Sequence, residues 1–164
     1  MGVEVLFYER VELVATTTEA EEDEHDLPDD CVTLYLDHPS RTQHDGMLQG
    51  FYRPSGKVDS LSATYSGYAR WRATLARMLG TTAEAIWGDP RPGPFVELID
   101  FADHAGVIGP RTAAKLARDF AEHRALAQSF AATLGDKAGW FLGGYDAWAR
   151  ALAVVGPEGA VRFD

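Results

Sequence analysis

The chain has 164 residues, 46% of them hydrophobic and 24% charged, which suits one globular domain, 1–164, with a core that needs no covalent staples. Its single cysteine, Cys31, excludes an intrachain disulfide and a thiolate zinc cluster. The net charge of −10 is concentrated in "EAEEDEHDLPDD", Glu19 to Asp30, which holds eight acidic residues and no Lys or Arg. Outside that segment 17 acidic residues face 15 basic ones, so the body is close to neutral and lacks the basic footprint of a nucleic-acid binder.

The segment 19–30 reads as an acidic loop, or as a charged lure for a basic partner. No apolar run approaches the ~20 residues that span a bilayer. The amino terminus, "MGVEVLFYER", lacks a basic region followed by a cleavage site. The expectation is a soluble cytoplasmic protein with no membrane association.

In chain order, Val3 to Thr16 is rich in β-branched and aromatic residues and predicts one long strand or two short ones. Cys31 to Asp37 alternates, with Val32, Leu34 and Leu36 on one face, and predicts a strand. Met47 to Arg53 and Val58 to Thr64 read as two further strands joined by a turn at "PSGK", Pro54 to Lys57.

The second half is helical. Trp71, Leu75, Met78 and Leu79 form an apolar stripe that Gly80 ends. A short helix over Thr81 to Trp87 is capped by Thr82, and "GDPRPGP" cannot continue it, because proline removes donors and restricts its neighbours. Helices are then predicted over Pro94 to Asp103, Pro110 to about Leu134, and Gly139 to Val155, with "HAGVIG" as the link before Pro110. "GAVRFD", Gly159 to Asp164, reads as a terminal strand closing the sheet. Strands first and helices after predict an α+β fold, an antiparallel sheet of three to five strands against four to five helices.

The densest candidate for chemistry is "TYSGYARWR", Thr64 to Arg72. The hydroxyls of Thr64 and Ser66 suit helix caps, and Tyr68, Trp71 and Leu75 suit a core stripe. Tyr65, Ser66, Tyr68 and Arg72, joined by Arg111, are the candidate ligand-binding residues. A helix amino terminus favours an anion, and Arg adds bidentate donors. The stretch has neither the glycine spacing of a phosphate loop nor a nucleophile elbow.

"FADHAGVIGPRT" places Phe101, Ala105 and Thr112 where a calcium loop needs oxygen ligands, and its helix-turn-helix spacing comes without basic support. Asp37, His38, His44 and Asp45 could approach a metal, but they are spaced as a polar loop. Glu97, Asp100 and Asp103 could pair for acid–base work. No metal site and no cofactor are expected.

"YSGYARWR", "GPFVELIDFADHAGVIGPRTAAKLARDF", "YDAWARAL" and "GAVRFD" together resemble a family of small uncharacterised proteins of bacteria and their phages. That family runs S-Y-S-G-Y-x-x-W-R, P-F-x-E-L-I, G-x-I-G-P and a final G-A-V-x-F. The resemblance covers about the last two-thirds of the chain and implies no particular activity. Ala105 stands where the family often has an acidic residue, which argues against a ligand role for that loop. The functional expectation is a binding or regulatory protein acting on a protein partner or a small anionic ligand. A small enzyme with a polar site near Tyr65, Tyr68, Arg72 and the Asp100–Arg111 corner, and a helix-turn-helix DNA binder, are the alternatives.

Overall fold

The computed structural model describes residues 2–17, 28–36, 42–101 and 105–164. Its order is β1 (Gly2–Thr16), β2 (Val32–Leu34), β3 (Gly50–Thr64), α1 (Tyr65–Met78), α2 (Ala83–Gly88), α3 (Val96–Ile99), β4 (Gly106–Ile108), α4 (Pro110–Glu122), α5 (Arg124–Ala131), α6 (Ala138–Leu152) and β5 (Ala160–Phe163). The five strands make one antiparallel sheet in the order β2-β3-β1-β5-β4. The α+β architecture is the one the sequence predicts. Among the described residues no helix is long and apolar enough to cross a membrane.

Alternation along β1 divides the apolar residues between the two faces of the sheet. Val3, Val5 and Phe7 join Val161, Phe163 and the helices in the main core. Tyr8 packs on the other face with Leu34, Tyr52, Val107 and Ala160. The main core is dominated by rings: Trp71 and Trp148 stack at 6.1 Å, and Phe7 meets Trp148 edge-on at 5.3 Å.

Several expectations are corrected. "PSGK" does not turn the chain, because β3 runs through it. Tyr8 pairs with Val58 and Arg10 with Ser55, so Glu9 faces two residues, a β-bulge. Gly56 supplies the left-handed φ of 76° that the bulge needs, and the Glu9 carboxylate accepts from the Lys57 N–H at 2.6 Å. The strand at 31–37 shrinks to Val32–Leu34. The helix expected over 94–103 is the single turn Val96–Ile99, preceded by Phe95 in a left-handed conformation. The link before Pro110 contains β4, paired with β5, so α3 and α4 are joined by a strand and not by a tight turn. β5 lies inside the sheet between β1 and β4.

The long helix expected over 110–134 is broken at His123 into α4 and α5. There the Phe120 carbonyl, four residues before Arg124, accepts the Tyr145 hydroxyl at 2.6 Å, and the His123 ring packs on Phe95 at 5.5 Å. The rest of the acidic segment, residues 19–27, lies outside the described residues, as do Asp37, His38, Asp103 and His104.

Candidate functional site

Helix α1 starts directly from the end of β3. Thr64 is its N-cap, accepting from the Gly67 N–H at 3.0 Å, as its hydroxyl predicts. From there α1 presents two stripes. Tyr68, Arg72 and Leu75 point inward and are buried. Arg70, Ala73, Thr74 and Arg77 border a cleft of about 450 Å³. Lys137, at the turn before α6, and Trp140, in the first turn of α6, complete that cleft with Leu134.

The cleft brings three cations together, and among the described residues no carboxylate lines it. Arg70 Nε lies 3.4 Å from the Ser66 carbonyl of its own helix. None of Arg70, Arg77 and Lys137 forms an ion pair among the described residues. Arg70 and Arg77 are seven residues apart, two helical turns, which puts both on one face.

A second depression, a groove of about 320 Å³, opens on the other side of Trp140. Val3, Val5, Leu61, Trp71 and Trp148 contribute apolar walls. On α6 the spacing Trp140, Gly144, Ala147 keeps one face toward the groove, and two of those three residues are small. A Cβ at Gly144 would collide with the Trp71 indole, so the glycine is what lets this ring lie against α6. Trp71 Nε1 donates to the Phe141 carbonyl at 3.3 Å. Trp140 belongs to both depressions and is 44% exposed.

The residues expected to bind a ligand are distributed as follows. Tyr68 is buried, stacks near Trp71 and Trp148, and borders the apolar groove. Tyr65 is half-buried against the main core and Ser66 is exposed. Arg72 is turned inward: its guanidinium lies 4.5 Å from the Tyr68 ring centroid and donates to the Phe101 carbonyl. Arg111 lies elsewhere, exposed, with Nη2 3.3 Å from the Asp45 carbonyl. Arg72 and Arg111 thus serve different partners.

The amino terminus of α4 meets an anion supplied by the chain itself. Asp45, 67 residues earlier, accepts from the Thr112 N–H at 2.8 Å and from the Thr112 hydroxyl at 2.9 Å. The Gln43 carbonyl accepts from Gly109 N–H at 2.8 Å. A side chain at Gly109 would strike the His44 carbonyl at 2.6 Å, so this glycine permits the close approach. The loop read from sequence as a possible metal binder therefore caps a helix through Asp45. Among the described residues no group of three or more His, Cys, Asp or Glu side chains is placed to hold a metal ion.

Glu97 is also committed within the fold. Lys115 Nζ bridges Glu97 at 2.6 Å, Asp119 at 2.8 Å and the Gly93 carbonyl at 2.5 Å. The Asp119 carboxylate in turn accepts from the Phe95 N–H at 2.9 Å, holding the left-handed Phe95 in place.

Sequence reasoning missed Arg77, Lys137 and Trp140. The Arg70–Arg77 spacing was visible as two turns of one helix, but Lys137 and Trp140 reach that face only through the packing of α6 on α1. Compared with protein-family models, with curated proteins and with solved structures, the chain matches none of them.

Proposed function

We propose that this chain is a binding protein for an anionic group, held in the cleft between α1 and the start of α6. One observation carries the reading: on a chain of net charge −10, three cations without ion-pair partners among the described residues converge on one cleft that no described carboxylate lines. Surface cations near carboxylates ordinarily pair with them, as Arg53 does with Asp30 at 2.6 Å and Arg10 with Glu158 at 3.1 Å. Arg70 and Arg77 bring planar forks suited to phosphate or carboxylate oxygens, and Lys137 adds a point charge. This reading moves the anion from the Arg72 and Arg111 expected from sequence to the face of α1 that carries Arg70 and Arg77, since Arg72 is buried and donates to Phe101 and Arg111 lies apart, beside Asp45.

The reading is tested by calorimetric titration with pyrophosphate at low salt. Removing Arg77 by Arg77→Ala should weaken binding about tenfold or more, the loss of one charge-assisted contact of ~1.5–3 kcal/mol. Arg111→Ala should leave the affinity unchanged. Equal affinities for wild type and Arg77→Ala would refute the site.

A further inference from the structure

Resting on the anion-binding reading, we infer that the ligand is a small organic anion with an apolar arm: the anionic head sits among Arg70, Arg77 and Lys137, and the arm crosses Trp140 into the neighbouring groove. The two depressions share Trp140 as a common wall. They also divide the chemistry between them. The cleft holds the cations, whereas Tyr68 is the one ionisable side chain lining the groove among the described residues. Two of the polar groups at the groove are turned to the protein's own backbone: the Thr64 hydroxyl accepts from Gly67 and the Trp71 indole donates to Phe141. The groove therefore offers a ligand mainly apolar and aromatic contact and, among the described residues, no Lys, Arg, His, Asp or Glu side chain.

Size supports the same division. About 320 Å³ in the groove beside about 450 Å³ in the cleft falls within the range of small-molecule sites. Ala147 offers the groove only a methyl group on the α6 side, while Trp140 presents an exposed indole at the junction. An indole edge between a cationic and an apolar compartment suits a ligand that is itself amphipathic, because such a ring offers an apolar body and a polar tip. Phosphate monoesters and carboxylates carrying a short chain or a single ring have this chemistry.

The test compares inorganic phosphate, hexyl phosphate and hexanol by calorimetry on the full chain, with Trp140→Ala and Ala147→Phe as variants and circular dichroism to check their folding. Hexyl phosphate should bind about tenfold or more tightly than phosphate, since burying several methylenes adds affinity. Trp140→Ala should reduce that preference, because the wall shared by groove and cleft is lost. Ala147→Phe should do the same by filling the groove, and the exposed position of Trp140 keeps the test valid if Ala147→Phe does not fold. Detection of hexyl phosphate alone, with binding lost in Arg77→Ala and weakened in Trp140→Ala, also supports the inference. Equal affinities for phosphate and hexyl phosphate would overturn the amphipathic ligand and leave the anion site standing. Hexanol binding as tightly as hexyl phosphate would overturn the coupling of groove and cleft. Binding of none of the three would overturn both readings.

Discussion

Arg72 is the residue at which charge and position conflict. It lies four after Tyr68 and three before Leu75, both buried, so spacing alone puts it on the inward stripe of α1. A charged side chain in a sequence suggests an outward position and a ligand role, and the helical spacing overrules it. The fold accommodates the guanidinium over the Tyr68 ring and on the Phe101 carbonyl. Arg72→Ala should therefore lower stability by about 2–3 kcal/mol, because a buried acceptor loses a charged donor, and denaturant unfolding reads that loss as a lower midpoint. Asp119 makes a comparable case. It joins Lys115 to the Phe95 backbone, and Asp119→Ala should cost about 2–3 kcal/mol by orphaning the Phe95 N–H and leaving Lys115 with one carboxylate, Glu97, in place of two. An unchanged midpoint in either variant would remove the contact from the account of stability.

At the scale of elements, sequence pattern identified most segments and misjudged where they end. The stretch Pro54 to Lys57 carries every local mark of a turn, yet fifteen residues of β1 lie alongside fifteen of β3, and the extra residue is absorbed as a bulge at Gly56. Local turn chemistry lost to long-range pairing. The α4–α5 break was equally invisible, because it depends on Tyr145, 25 residues beyond Phe120, donating to its carbonyl. Burial raises the Tyr145 hydroxyl from the ordinary 10 to about 12. Below the unfolded value both states hold the proton and the contribution to stability is complete. Between about pH 10 and about pH 12 the unfolded chain ionises first, and stability falls. Tyr145→Phe should flatten the alkaline limb of the stability profile over that window, while costing about 1 kcal/mol at neutral pH for the lost hydrogen bond. A limb as steep in the variant as in the wild type would assign alkaline unfolding to other groups.

The whole molecule shows why the site was less legible than the fold. Composition, alternation and helical stripes report which residues go inside, and Trp71, Leu75, Leu98, Leu116, Phe120, Phe141, Trp148 and Leu152 are indeed buried, with Phe130 half-buried. The cations and the indole of the cleft stay outside, drawn from α1 and from the turn and first residues of α6 some sixty residues later, and no local pattern links Arg70 and Arg77 to Lys137 and Trp140. Net charge also hid it, since a chain of −10 gives no hint of a local cationic patch. The patch should make binding fall with rising ionic strength, as exposed charges are screened over about 8 Å at physiological salt. The most direct measurement of the central claim is an amide and indole N–H chemical-shift map of the isotopically labelled chain titrated with pyrophosphate. Saturable shifts centred on Arg70, Arg77, Lys137 and the Trp140 indole are the result this account predicts. Shifts centred instead on Asp45, Arg111 and Thr112, or none at concentrations that saturate ordinary phosphate sites, would contradict it.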